Sequence, residues 1–166
     1  TEGALLLLSM RAEVDATDVL GRTPLMFACV EGAEHVCETL LPAGAQIRAQ
    51  EKRGWSPVFY AAENGKQTLL KYVLRKFASP NEISKDGFSP LMVAAVCGHV
   101  GACKQLVRRG GEEILDHIDN NGNTALMVGL AAGQLDVGFW LVNEGAEVET
   151  RNNVDESACE IAEQAG

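Results

Sequence analysis

The sequence predicts an all-α solenoid of helix–turn–helix units joined by β-hairpin-like loops. One twelve-residue phrase recurs as GRTPLMFACVEG (21–32), GWSPVFYAAENG (54–65), GFSPLMVAAVCG (87–98) and GNTALMVGLAAG (122–133). The hydroxyl residue of the phrase returns at intervals of 33, 33, 35 and 33 residues, at Thr23, Ser56, Ser89, Thr124 and Ser157. A second apolar stretch and a polar, glycine-ended link follow each copy. A fixed period of this length is typical of repeat arrays.

The first element of each unit is a short apolar helix with start and stop signals. The hydroxyl residue is suited to accept a hydrogen bond from an open N–H group of the first turn. Proline follows it at positions 24, 57 and 90, where a missing N–H costs nothing. A glycine ends the helix, as a left-handed residue often does. These closing glycines are Gly32, Gly65, Gly98 and Gly133, and the glycines that lead the phrase are Gly21, Gly54, Gly87 and Gly122, with Asp155 in the fifth place.

The second element is another helix, exemplified by EHVCETLL (34–41) and QTLLKYVL (67–74). It is expected to close near Gly44, Gly110 or Gly145. The link that follows, such as AQIRAQEKRG (45–54), has the polar, glycine-ended composition of a turn or hairpin.

With these motifs the sequence resembles the ankyrin repeat family. The first copy matches its pattern at Asp18, Gly21, Thr23, Pro24, Leu25, Ala28 and Gly32, then at Leu40, Leu41, Gly44 and Ala45. The resemblance implies an ankyrin repeat domain over 1–166, with a partial repeat at 1–17, repeats at 18–50, 51–83, 84–118 and 119–151, and a partial repeat at 152–166. Both ends cut through a unit, which favours an excerpt from a longer protein.

The sequence also departs from the family pattern. The usual histidine after the T-P-L motif is replaced by Met26, Phe59, Met92 and Met127, so apolar packing is expected there. The fourth repeat has Ala125 for proline and Gly129 inside a helix, which indicates a weaker unit. The third repeat carries two extra residues within 108–119, around 110–116, and a tolerated surface insertion is favoured over a contact loop.

Charge narrows the partner classes. The net charge is −9, but residues 48–111 carry eleven basic and four acidic groups, whereas both ends are acidic. The acidic balance argues against indiscriminate nucleic-acid binding.

The only strong apolar run, residues 4–8, is too short to span a bilayer, and no signal peptide is indicated. Five cysteines without paired spacing favour a reducing, cytoplasmic location, with the nucleus left open.

No constellation of catalytic or metal-binding residues stands out. The three histidines, His35, His99 and His117, are scattered among units, and no glycine-rich phosphate loop occurs. Cys97, His99 and Cys103 are close in sequence but lack a fourth zinc ligand, so buried thiols are favoured. We therefore expect no enzymatic activity, no metal and no cofactor.

The resemblance implies a contact face made from the hairpin tips and the exposed side of the first helices. On this chain, the candidate partner-binding residues are Arg22, Lys52, Arg53, Trp55, Glu63, Asn64, Lys85, Phe88, Asn121 and Asn123. Trp55 and Phe88 occupy the same slot of adjacent repeats beside cations, and tryptophan and arginine are enriched in binding hot spots. An extended acidic protein segment with one apolar anchor is the expected ligand, and Trp55 should be more accessible than Trp140.

The function that this implies is a non-enzymatic protein–protein interaction module of a larger intracellular scaffold or adaptor. The alternative is a regulatory or substrate-docking ankyrin segment of a multidomain enzyme, such as a ubiquitin ligase or a kinase. The sequence leaves the oligomeric state open. It also carries a second basic group on the second helices, for which the helix macrodipole is favoured over a docking face. This group comprises Lys71, Arg75, Lys76, Lys104, Arg108 and Arg109.

Overall fold

The computed structural model describes residues 13–76 and 78–165, so most of the predicted partial repeat at 1–17 lies outside the described residues. Within the described residues there are nine α-helices and one 3-10 turn, Glu112–Ile114, and the only bridge pairing is an isolated one between Arg151 and Ser157. In chain order the α-helices are Pro24–Val30 (α1), Glu34–Leu40 (α2), Pro57–Asn64 (α3), Gln67–Arg75 (α4), Pro90–Val96 (α5), Val100–Gly110 (α6), Ala125–Ala131 (α7), Leu135–Asn143 (α8) and Ala158–Ala165 (α9).

The helices form two rows, as the predicted solenoid requires. The first helices, α1, α3, α5, α7 and α9, each pack on the next one in that order. The second helices, α2, α4, α6 and α8, form a parallel row behind them. Leucines such as Leu25 and Leu91 from the first row and Leu69 and Leu106 from the second are buried in one continuous apolar core. The helical solenoid predicted from the repeat period is therefore confirmed.

The first helices start directly after the hydroxyl residue at all four phrases, and the predicted side-chain caps are confirmed at three of them. The hydroxyl groups of Thr23, Ser89 and Thr124 each accept a hydrogen bond from the N–H group three residues later. The prediction is wrong for Ser56, whose hydroxyl makes no such bond. It donates instead to the Glu82 carboxylate. A neighbouring acceptor in the link therefore outcompetes the capping geometry in the second unit.

The closing glycines behave as predicted at the first helices and differ in one place at the second helices. Gly32, Gly65, Gly98 and Gly133 all have positive φ, from 64° to 76°. In the third unit, α6 continues through Gly110, and Gly111 takes the positive φ of 82°. The two extra residues thus lengthen a helix and form the 3-10 turn.

A ladder of backbone hydrogen bonds joins the tips of the units. The tips are residues 19–22, 52–55, 85–88, 120–123 and 153–156. Each tip is closed, as a hairpin is, by a bond from the residue just before it to its last residue, for example Glu51 N–H donating to Trp55 O at 2.9 Å. Each of the four tips after the first also donates one N–H to the preceding tip. These bonds are Lys52 N to Leu20 O, Lys85 N to Arg53 O, Asn120 N to Asp86 O and Asn153 N to Asn121 O, at 2.9 to 3.1 Å.

The residues that replace the family's histidine pack into the core, as expected. Met26, Phe59, Met92 and Met127 are all buried. The Met26 sulfur also accepts the Thr23 N–H at 3.4 Å, and the Met127 sulfur accepts the Thr124 N–H at 3.5 Å. A thioether thus supplies both apolar packing and a weak acceptor at the helix start.

The helical glycine of the fourth unit leads to a stability prediction. A Cβ added at Gly129 would lie 3.5 Å from Ala95 Cβ, which is ordinary contact. Gly129→Ala should therefore stabilise the chain by about 0.5–1 kcal/mol, because alanine loses less backbone entropy in a helix. The urea midpoint of the variant should rise.

The control is Gly65→Ala, which adds the same methyl group. Its Cβ would meet the His99 ring at 2.4 Å at a φ of 73°, so its midpoint should fall. A fall for Gly129→Ala as well would mean that the first-helix row has no room for the methyl group.

Candidate partner-binding surface

The structure separates the predicted contact residues into exposed side chains and side chains used within the fold. Lys52, Arg53, Lys85 and Asn121 are exposed on the tips, and Glu63 is exposed on α3. The remaining five are buried or half-buried, and most of these have partners inside the chain. They are Arg22, Trp55, Asn64, Phe88 and Asn123.

The expected exposure of Trp55 is wrong. Its side chain is only 8% exposed. The ring stacks on Phe59 with centroids 5.5 Å apart and meets the Tyr60 ring edge-on at 5.4 Å. The Arg53 guanidinium lies 4.7 Å above the indole. Trp55 is buried because α3 turns back beneath the tip and places these two rings four and five residues later against the indole.

The second predicted aromatic, Phe88, is half-buried and packs against the core. Two predicted amides are also engaged. Asn64 donates to Val30 O at 2.9 Å, and the Asn123 side-chain oxygen accepts from Asn152 at 3.0 Å. These two side chains connect neighbouring units, so their hydrogen-bonding groups are already used within the fold.

Arg22 is held at the first tip by two contacts. It forms an ion pair with Asp18 at 2.8 Å, and its guanidinium lies 4.5 Å above the Phe27 ring. The backbone N–H of Arg22 is the main reason that the pKa of the Asp18 carboxyl lies below its usual value. Arg22 therefore presents a fixed charge beside an exposed aromatic ring.

The sequence interpretation missed this exposed apolar group. Phe27 is 40% exposed and Val30 is 37% exposed on α1. Tyr60, one repeat later in the slot of Phe27, is half-exposed. Burial is the main cause that raises the pKa of Tyr60, and Arg22 and Arg53 both act to lower it, so both cations lie within electrostatic range of the ring. The signal was available, because residues at i and i+3 share one face of a helix.

Three of the five cysteines occupy core positions, in the first and third units. Cys29, Cys37 and Cys103 are buried, Cys97 is half-buried and Cys159 is exposed. Burial raises the pKa of the Cys103 thiol to about 12. Across residues 13–76 and 78–165, no group of three or more His, Cys, Asp or Glu side chains is placed to hold a metal ion. In that same part of the chain, none of the helices has both the length and the apolar character needed to cross a bilayer.

The paired helix rows, the hydrogen-bonded tips and the exposed face beside them define a repeat solenoid that displays a long side-chain surface. A family model for ankyrin repeats (three copies) matches residues 2–82 and 69–152. The chain belongs to the ankyrin repeat family. Comparison with curated proteins finds no significant match. Ankyrin repeats are protein–protein interaction modules and are typically non-catalytic, which gives the class of function but leaves the binding face to be argued from this surface.

The burial of Trp55 predicts the order of fluorescence quenching. In single-tryptophan variants, acrylamide should quench Trp140 more strongly than Trp55, because Trp140 is half-buried and Trp55 is covered by three side chains. Trp140→Phe isolates Trp55, and Trp55→Phe isolates Trp140. Stronger quenching of Trp55 would show that its tip opens in solution.

The thiols should separate by reactivity. Because the thiolate is the nucleophile, a pKa near 12 leaves Cys103 almost entirely protonated and unreactive at neutral pH. With an aromatic disulfide reagent, Cys159 should react first and Cys103 only on unfolding. Cys159→Ser is the matched variant and should remove the fast phase. Because Cys97 is half-buried, the decisive control is Cys159→Ser combined with Cys97→Ser, and a fast phase that persists in this double variant would contradict the burial of Cys29, Cys37 and Cys103.

Proposed function

We propose that the chain is a non-enzymatic binding module of an intracellular scaffold or adaptor, and that it holds an extended protein segment along the tips and first helices. The apolar anchor of that segment would contact Phe27, Val30 and Tyr60. Its acidic residues would contact Lys52, Arg53 and Lys85.

The observation that carries the proposal is the exposed apolar group at the first unit. Phe27 and Val30 share one face of α1, and both remain more than a third exposed. Val93, which occupies the slot of Phe27 in the third unit, is only 4% exposed. In the slot of Val30, Val96 of the third unit is also 36% exposed, so it is the exposed aromatic surface that is concentrated in the first two units, at Phe27 and Tyr60, where a single anchor residue would bury it. Aromatic side chains supply much of the energy in such contacts.

The charges on the tips support an acidic ligand. Within the described parts of the chain, Lys52, Arg53 and Lys85 take part in none of the ion pairs. Their charges face solvent, where they would speed association and orient an acidic segment. Arg53 is also braced by its stacking on Trp55. Trp55 was predicted to contact the apolar anchor of the partner, and we propose instead that it supports Arg53.

A peptide selection tests the proposal. Peptides selected from a random display library on the 166-residue chain should combine acidic residues with one large apolar residue. Amide chemical-shift changes on binding should fall on the first tips and on α1 and α3. Selected peptides that are basic, or shifts confined to the second helices, would overturn the proposed face.

Truncation of the exposed ring gives the quantitative form of the test. Phe27→Ala should weaken the selected peptide by about thirtyfold, since hot-spot truncations cost at least about 2 kcal/mol. The matched control is Phe139→Ala on α8, where the ring is 71% exposed but lies in the second-helix row. It should leave affinity within about twofold. Equal losses of affinity in the two variants would show that Phe27 does not contact the apolar anchor of the peptide.

A further inference from the structure

A basic groove lies between the second helices α4 and α6. It has a volume of about 850 Å³. Lys71 and Arg75 line it from α4, and Lys104, Arg108 and Arg109 line it from α6. No carboxylate is among the described residues that line it. The groove therefore concentrates five positive charges between two adjacent helices.

These cations are not neutralised by the fold. In the part of the chain that the structure describes, none of the five forms an ion pair. Arg109 donates to Leu74 O at 2.8 Å, which bridges α6 to α4 but leaves its charge unmatched. Lys71 and Arg75 are four residues apart, and so are Lys104 and Arg108. Like charges at this spacing repel along a helix, so the cluster works against folding.

Complementing the helix dipole explains only part of the cluster. The dipole effect is confined to the last turn of a helix. Arg75, Arg108 and Arg109 lie in last turns, but Lys71 and Lys104 lie before them. The slot of Lys71 and Lys104 holds Glu38 in the first unit and Phe139 in the fourth. The charges are thus restricted to two adjacent units, which favours a docking face over the macrodipole interpretation.

The groove also contains one unpartnered acceptor. Gln105 lines it, and the side-chain N–H of Gln105 donates to Gln67 O at 3.0 Å, which fixes the orientation of the amide. Its oxygen, Oε1, is buried and has no hydrogen-bond partner among the described residues. A buried acceptor is costly unless a donor reaches it. A peptide backbone carries N–H donors beside its acidic side chains, whereas deprotonated phosphate offers only acceptors.

We propose that the groove between α4 and α6 is a second docking site, which binds an acidic segment of a partner protein in extended form. Carboxylates of the segment pair with Lys71, Arg75, Lys104 and Arg108. A backbone N–H of the segment donates to Gln105 Oε1. The site is independent of the tips and first helices, so it stands or falls separately from the function proposed above.

Fluorescence anisotropy with the 166-residue chain and a labelled peptide of alternating glutamate and glycine tests the site at physiological salt. The double variant Lys104→Glu with Arg108→Glu should weaken binding by about tenfold or more, because it replaces two attractions with two repulsions. Both side chains are exposed, so the variant should fold normally by circular dichroism. The matched control, Arg48→Glu with Lys66→Glu, makes the same change in net charge at two exposed cations outside both the groove and the proposed tip face, and it should alter affinity by less than about twofold.

Further measurements identify the occupant of the groove. A peptide with the same charges but a fully N-methylated backbone should bind more weakly, and Gln105→Met should weaken the ordinary peptide but not tripolyphosphate. Equal binding of the methylated peptide would remove the role of Gln105. Tighter binding of tripolyphosphate, or of vesicles with 30% phosphatidylserine, would replace the peptide with a phosphate ligand. Self-association abolished by the groove variant would make a second copy the occupant. No binding of the glutamate peptide, or an equal loss in the Arg48→Glu and Lys66→Glu control, would also overturn the proposal.

Discussion

The hydrogen bond from each tip to the carbonyl of the preceding tip sets the spacing of the whole solenoid. It requires close approach of two backbones, which the leading glycine allows. At Gly87, a Cβ would lie 2.6 Å from the Asn120 nitrogen that donates in this ladder. Asp155 takes the same positive φ in the last unit, where short polar side chains are the tolerated substitute. Because the tips lead directly into the first helices, this contact also fixes the order of side chains on the candidate surface.

The two-residue insertion shows what the ladder tolerates. The extra residues lengthen the interval between Ser89 and Thr124 to 35, yet the bond from Asn120 to Asp86 is kept at 3.1 Å. The added chain is absorbed at the end of α6 and in the 3-10 turn, where Ile114 and Leu115 are buried. Length can therefore vary at the ends of the second helices, where neighbouring units are joined through side chains such as Arg109, which donates to Leu74 O, whereas the tips are joined backbone to backbone.

The fold was predictable because its signals are local, whereas the surface depends on packing between elements. Hydroxyl, proline and glycine each act within one turn of a helix, so the period of Thr23 and its equivalents predicted the helix pairs. The predicted cap at Ser56 was wrong because the competing acceptor, Glu82, lies in the next link. The predicted exposure of Trp55 was wrong because side chains from α3 cover its ring, although its position lies on the tip. Phe27 was missed because only the residues next to the closing glycine were considered. Extending the analysis along the same face of the helix would have included Phe27.

Apolar and basic side chains are unevenly distributed along the candidate surface. The apolar group of Phe27 and Val30 lies at the first unit, whereas the cations Lys52, Arg53 and Lys85 belong to the second and third. Adjacent helices pack about 8–10 Å apart, and an extended chain advances about 3.3 Å per residue. One unit therefore corresponds to about three residues of ligand. A segment with its anchor at Phe27 would place acidic side chains opposite the cations about three and six residues away, all on one side of the anchor. The same spacing that the tip ladder imposes on the fold would thus set the spacing of the motif that it recognises.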